Sequence, residues 1–534
     1  MRQGNGTKKK SAYILALLLM ASPFIMGSGT SEMWGGETEV SASSTMSKIL
    51  KRLPSIWSMR VKAKKKAKSL PDYKYDVAVP DSETIFSWIK GICQWPHRRP
   101  GTTEGHAAER WVRDRFREIG LENVTMDPVP ITVWEAEEWS LQAGGETIPA
   151  FYILNTGFTG AESVTAPLVY VGEGTAEDFA KVNVKDKIVV ADLPFPYLPS
   201  GFLLKYLGAA YTVSDPGGSI GIGAGQYLNF VRSNFLGGTT VGTAPPNDVY
   251  WNSVKEGAAG ICLILKDQPA GTNSHYGPYD GIMKPMPGLW IGKYEGEKLR
   301  EMAIAGTEAT LKLTGSKKPG KMHNVWGVLP GRSEEVILIT SHHDAPFKGA
   351  VEDGAGVAQV LAQAWAWSKV PKEQRPKTIV FVVDGGHFYD SKGGHFFARN
   401  HPEIMERTRI LITLEHLAAK EVEEDGRQYR ETGNMALTVM FASHNEQVLA
   451  AVMKSLDKKP APATAAIPAD FFGPAPTSDA SGYVLEAGVP VISWIGCPYY
   501  LLDEHDTLDK VEVSKLKPVA ETTTELVKTY MAME

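Results

Sequence analysis

The chain has 534 residues, 43% hydrophobic and 22% charged, with a formal net charge of −5. That is ordinary globular composition, with core material for two or three domains. The negative balance argues against a nucleic-acid partner, because phosphate contacts need a basic surface. Cys93, Cys262 and Cys497 are far apart and form no Cys-x-x-Cys pair, so neither a disulfide scaffold nor a thiolate metal site is expected.

Lys8, Lys9 and Lys10 precede an apolar run from Ala12 to Met26, and small residues follow at Gly27, Ser28 and Gly29. A basic, then apolar, then small-residue order predicts a secretory signal over residues 1–29. The run falls short of the roughly 20 residues a spanning helix needs; an uncleaved N-terminal anchor is the alternative. The protein is therefore expected to be exported, either periplasmic or secreted. Residues 30–75 read as a linker. Between Lys48 and Lys68 it holds nine basic residues and no acid. Contact with an anionic membrane surface is one reading of that run, and a solvated, flexible tail is the plainer one.

From Ser82 to Gly120 the pattern is helical, with Ala107, Trp111, Val112, Phe116 and Ile119 at helical spacing and Gly120 as the stop. The stretch from Arg99 to Gly105 interrupts it as a loop. Over residues 155–312, short β-like runs (Leu168–Val171, Ile188–Ala191, Ile261–Leu265) alternate with glycine-rich loops. This predicts a separate β-rich domain with a long insertion at 196–250. Beyond about residue 322, Val336–Thr340 and Thr378–Val383 are continuous apolar runs, as expected for strands buried on both faces of a mainly parallel sheet. Gly354–Trp367 reads as a helix between them. The fold class is α/β, a mixed sheet with a parallel core and helices on both faces.

In such sheets, sites gather at the carboxyl ends of strands. Three strand ends here lead into polar residues: Ser341-His342-His343-Asp344, Asp384-Gly385-Gly386-His387, and Glu415-His416. Glu352 and Asp353 enter the turn that opens the next helix. Imidazole and carboxylate are both zinc ligands. Each residue also has a plain reading, as a loop polar group, a helix N-terminal acid that favours the macrodipole, or half of a buried ion pair. The Gly217-Gly218-Ser219-Ile220-Gly221 run has the spelling of a nucleophile elbow but lacks a strand-to-helix context.

His342-His343-Asp344, followed by Glu352-Asp353-Gly354-Ala355-Gly356, resembles the signature of metallopeptidase family 28, the zinc exopeptidases that include aminopeptidase S and plasma glutamate carboxypeptidase. Arg99-Pro100-Gly101-Thr102, Asn324–Gly331, Ser478-Asp479, Glu486–Pro490 and Asp506–Lys510 resemble further family landmarks. Gly257–Ile261 and Pro287–Gly292 resemble the protease-associated domain that such enzymes often carry. The resemblance covers roughly residues 80–530. It implies a catalytic domain in two parts, 76–154 and 313–534, around a protease-associated domain at 155–312.

The family holds two zincs. Carried over, its first His is His342, with Asp344 behind it as a supporting carboxylate. The bridging acid is Glu352 and a later acid is Glu415. The general-base position falls on His387, while the two remaining ligand positions fall on Phe388 and Leu502, with His505 near the latter. The resemblance thus implies a single divalent metal, zinc or alternatively iron, held by His342, Glu352 and Glu415. His387 would be the base and a peptide or amide the substrate. The competing expectation is a catalytically inactive binding protein on the same fold; a cyclase, lyase or oxygenase is a third.

Overall fold

The computed structural model describes residues 37–194, 197–198, 200–221, 226–227 and 249–533. The expected signal segment and about half of the 196–250 insertion lie outside them. The chain divides into two compact units, Met1–Trp57 and Ser58–Glu534. Among the described residues no helix is long and apolar enough to cross a membrane. The stretch expected as a linker contains a helix, Glu37–Ala67. Leu53, Ile56 and Ala63 are buried at spacings that share one helical face, while Lys62, Lys64 and Lys65 are exposed. That narrow apolar face was hidden in the sequence by the density of lysine.

The strands that position the site are β1 (Glu122–Ala143), β2 (Ala150–Tyr152), β3 (Val164–Tyr170), β4 (Ile188–Leu193), β5 (Thr212–Ser214), β6 (Gly260–Leu265), β7 (Gly288–Gly292), β8 (Glu308–Leu329), β9 (Val336–His342), β10 (Thr378–Asp384), β11 (Thr408–Glu415), β12 (Thr438–Ala442), β13 (Thr464–Pro468) and β14 (Val491–Gly496). They belong to one fifteen-stranded mixed sheet, ordered β2-β7-β6-β4-β3-β8-β10-β9-β11-β14-β12-β13-β5, with β1 paired to β8. Two parallel stretches stand out. One is β3-β4-β6-β7 and the other is β10-β9-β11-β14. β8 joins them: Glu308–Leu311 pairs antiparallel with β3, and Val325–Leu329 pairs antiparallel with β10.

β8 begins inside the 155–312 range that the sequence suggests as a β-rich domain and continues into the second parallel stretch. The segment is also α/β, because helices Val249–Lys255 and Lys293–Ile304 accompany its strands. It belongs to the same compact unit as the rest of Ser58–Glu534. Part of the insertion is placed as well, since β5 pairs antiparallel with β13 at the far edge of the sheet.

Local sequence explains the main elements. Every residue of β9 is buried, which accounts for its unbroken apolar run. Helix Thr103–Ile119 ends at Gly120, whose φ of 94° is a left-handed stop that glycine adopts without strain. Helix Gly356–Ser368 packs on β9 and β11. Its buried Gln359 and Gln363 donate to the carbonyls of Leu516 and Ala520 in helix Val513–Ala532, at 2.9 and 3.0 Å. The Gly217–Gly221 run, set aside in sequence as an elbow, is a turn after β5 in which Asp215 accepts from the amides of Ser219 and Ile220.

One polar contact ties β1 and β8 to the helical side. Asp127 accepts from Trp326 Nε1 and from His401 Nε2, both at 2.7 Å. Hydrogen bonding to Asp127 raises the His401 pKa above its usual 6.5. A raised folded-state pKa contributes stability that is complete below the unfolded value and is lost as pH rises through the folded one. Wild type is therefore expected to lose this contribution as pH rises above the usual histidine value of 6.5, and His401→Gln to flatten that part of the profile. Melting temperatures of both proteins across the range test this; parallel curves would remove the pair from the account.

Candidate metal centre

The parallel strands β9, β10 and β11 end side by side, with His342 opposite Asp384 in register and Glu415 closing β11. His342, His343, Asp344, Glu352, Asp353, Glu415 and His416 are all at most 1% exposed, and His387 is 9% exposed. The centre is thus nearly closed, with His387 on its more open side.

Three histidines converge on Glu352. His342 Nε2 lies 3.5 Å from Glu352 Oε1, His387 Nε2 lies 3.4 Å from the same oxygen, and His416 Nε2 lies 2.9 Å from Oε2. The opposite ring nitrogen of each is already engaged. Nδ1 of His342 donates to the Asp344 carbonyl at 3.0 Å, Nδ1 of His416 to the Gly496 carbonyl at 2.9 Å, and Nδ1 of His387 to Asp479 Oδ1 at 2.8 Å. An imidazole whose Nδ1–H is held by an oxygen presents Nε2 to a metal, the usual supporting arrangement for a metal-bound histidine. His342, Glu352, His387 and His416 together could hold a metal ion, and so could an overlapping group of His342, His387, Glu415 and Asp479.

The donor set fits a divalent cation on a further observation. Apart from the paired His416 Nε2 and Glu352 Oε2, the atoms His342 Nε2, Glu352 Oε1, Asp344 Oδ2, Glu415 Oε2 and Asp479 Oδ2 are buried without a hydrogen-bond partner. Each such atom costs roughly 1–3 kcal/mol, so together they rival the whole stability of a typical domain, about 5–15 kcal/mol. A cation in their midst removes that cost. The group His106, Glu109 and His323 differs: its separations of 2.8 and 2.7 Å are those of ordinary hydrogen bonds.

Electrostatics follow from burial and from the cluster itself. Burial, helped by the charge of His387, pushes His342 down to about 3, so it is neutral. Burial would raise Glu352, but His416 and His387 hold it down at about 2. Burial opposes charge on His416 and His387 too, yet Glu352 lifts His416 to about 9, and Asp479 and Glu352 lift His387 well above its usual value. Burial pushes Glu415 well above the usual carboxylate range and Asp344 up to about 7.

Backbone contacts aim these side chains. Asp344 Oδ1 accepts from the amides of Gly386 and His387 at 3.0 and 3.4 Å. Asp353 accepts from the His416 amide at 2.8 Å and the Gly356 amide at 3.0 Å. A Cβ at Gly356 would lie 2.2 Å from Asp353 and from the Leu414 carbonyl, so glycine is needed there. Asp506 accepts from the amides of Val351 and Glu352, both at 2.8 Å. Arg98 donates to the carbonyls of His343, Lys348, Gly349 and Glu352 at 2.6–3.1 Å.

Of the residues expected from sequence, His342, Glu352 and His387 come together in one group. Glu415 stands in the overlapping group, with its Oε1 accepting from the Asp479 amide at 3.1 Å. Asp344 sits behind His342 and His387. The surroundings of His387 match those of the ligand-type histidines rather than those of a free base. His416 carries a place that sequence reasoning did not assign. Glu415-His416 was read as one polar strand end without a ligand role for His416; successive strand residues point to opposite faces, and the left-handed φ of 53° at His416 breaks that alternation. Asp479 was visible only as a landmark. Phe388 and Leu502 are buried, and the rings of Tyr279 and Tyr276 pack on Phe388 at 5.1 and 4.7 Å. His505 pairs with Asp503 at 3.0 Å instead.

A buried imidazole and carboxylate centre at the carboxyl ends of a mixed sheet with a parallel core is the architecture of the zinc-exopeptidase fold. Residues 324–527 match the model of peptidase family M28. Solved structures share the fold. An aminopeptidase from Aneurinibacillus sp. strain AM-1 is 21% identical, with 84% of this chain and 93% of that one covered and a TM-score of 0.56. A zinc aminopeptidase from Bacillus subtilis is 16% identical, with 84% and 95% covered and a TM-score of 0.61. A peptidase M28 precursor from Shewanella amazonensis SB2B is 17% identical, with 91% and 98% covered and a TM-score of 0.61. A comparison with curated proteins finds no match.

The ligand roles predict distinct losses. His416→Ala and His342→Ala are expected to cut divalent-metal affinity more than about a hundredfold, beyond the 10–100-fold cost of disturbing supporting groups alone, while Leu502→Ala leaves it unchanged. Because ligand imidazoles must shed protons, affinity should fall as pH drops below about 9, where His416 titrates. Competition with a chromophoric chelator measures both; metal uptake by His416→Ala equal to wild type would remove it from the ligand set.

Proposed function

We propose that this protein is a metallohydrolase that cleaves a peptide or amide bond with a single divalent metal, zinc in preference to iron. The observation that carries the reading is the convergence of three tethered imidazoles on the buried carboxylate of Glu352. The ligand set is His342, Glu352, His387 and His416. Three imidazoles with one carboxylate form a donor set suited to zinc, copper, iron or nickel rather than to magnesium or calcium. The M28 family and the zinc aminopeptidase neighbour favour zinc and a peptide substrate. One metal, rather than two, is supported by the buried rings and methyls of Phe388, Tyr276 and Leu502.

A divalent metal at these ligands supplies Lewis-acid polarisation of a carbonyl and acidification of a water. The chain's own residues do the rest. His342 and His416 are locked by backbone carbonyls, so their Nε2 atoms do not reorient. Asp479 accepts a hydrogen bond from Nδ1–H of His387 and keeps that ring facing Glu352. Glu415, whose Oε2 has no hydrogen-bond partner and whose pKa is raised by burial, holds a proton for transfer to a leaving amine, the role that a raised carboxyl pKa suits. A purely structural or binding role leaves this concentration of buried, unsatisfied polar atoms without a purpose. Export is part of the proposal and rests on the Lys8–Met26 pattern of the sequence.

Purified full-length protein is expected to hold about one equivalent of zinc by elemental analysis, and to release product from a panel of aminoacyl and N-acyl amides. Glu415→Gln should retain the metal and lose at least about a hundredfold in kcat, in line with general acid–base catalysis. Failure to take up any metal would overturn the reading. Two equivalents would restore a dinuclear centre, and loss of metal in Glu415→Gln would make Glu415 a ligand.

A further inference from the structure

Most arginines buried in this fold spend their donors on carbonyls. Arg98 makes four hydrogen bonds of 3.1 Å or less, and Arg375 reaches the carbonyls of Pro330, Trp367 and Val370. Arg99 does not. Its side chain is only 18% exposed, its nearest acid is Glu135 at 3.8 Å, and its Nε is buried without a partner. Glu135 is not reserved for it, since Lys318 lies 3.5 Å from the other Glu135 oxygen. The groups beside the guanidinium are the phenols of Tyr152 and Tyr276, with Tyr152 in hydrogen-bonding reach. Neither phenol hydroxyl bonds to a carbonyl or carboxylate among the described residues.

A largely buried guanidinium without a close acid is costly, and a guanidinium fork flanked by phenol donors is suited to a carboxylate. The position is informative too. Contacts run from Arg99 to the Tyr152 hydroxyl, from the Tyr152 ring to the Tyr276 ring at 6.4 Å, from Tyr276 to Phe388 at 4.7 Å, and from Phe388 to the His387 ring at 5.0 Å. Arg99 thus stands behind the aromatic layer that fills the second-metal position. We propose that Arg99, Tyr152 and Tyr276 form a subsite for a carboxylate of the substrate, so that the preferred substrates are small peptides or N-acyl amino acids with a free carboxylate. What becomes of that ligand rests on the metallohydrolase reading; the subsite itself is tested by binding.

The test is calorimetric titration of zinc-loaded full-length protein with N-acetyl-L-phenylalanine and with N-acetyl-L-phenylalaninamide, which differ at the carboxylate. The acid is expected to bind about tenfold or more tightly than the amide, the usual scale for a charge-assisted hydrogen bond. Arg99→Met should abolish that preference at unchanged zinc content. Arg99→Lys, which keeps the charge but loses the fork, should fall between, and guards against a folding defect in the methionine variant. Equal binding of acid and amide, no binding of either, or a preference that persists in Arg99→Met would overturn the subsite. Zinc content in the same samples separates this failure from that of the metal centre.

Discussion

The carboxylate of Glu352 is buried among three imidazoles, and much of the surrounding structure exists to hold that arrangement. A carboxylate out of water persists only beside opposing charge. In this protein His387 and His416 supply that charge, and a divalent cation would take the place of their protons. Asp506 grips the amides of Val351 and Glu352 from one side, while Arg98 grips the carbonyls of the same loop from the other. The loop has little freedom to withdraw the carboxylate.

The carboxylates around the centre divide by what they hold. Glu352 and Asp479 face imidazoles and are kept ionised. Asp344, Asp353 and Asp506 mainly accept from backbone amides, and burial pushes each up to about 7. The first pair sets the charge of the cluster. The other three set its geometry, by fixing the main chain of His387, His416 and Glu352.

The aromatic wall couples the two parallel stretches of the sheet. Tyr276 and Tyr279 come from the segment between β6 and β7, and they pack on Phe388, which follows β10. Asp280 forms a bridge with Tyr389, and the Asp390 amide donates to the Tyr279 carbonyl at 2.8 Å. A segment that reads as a separate domain in sequence therefore lines the cleft. The continuous hydrogen bonding of β8 makes this contact part of one sheet.

Some of this was legible in the residues. The apolar runs of β9 and β10, the Gly120 stop and the helix after Glu352 follow from periodicity and backbone preference, which act over a few neighbours. The polar residues at three strand ends marked the site because strand ends face a common cleft in a parallel sheet. His342, Glu352, Glu415 and His387 were all visible there, with Asp344 beside them. Which of them share one set of atoms was not. His416 entered through a left-handed turn that breaks strand alternation, and Asp479 reached His387 across ninety-two residues of chain. The run of β8 through both parallel stretches and the surroundings of Arg99 are likewise tertiary facts. Local sequence determines which residues are apolar, helical or chain-terminating, because those preferences are settled between near neighbours. Ligand sets and charge balance depend on groups distant in sequence, and only their packing in space decides them.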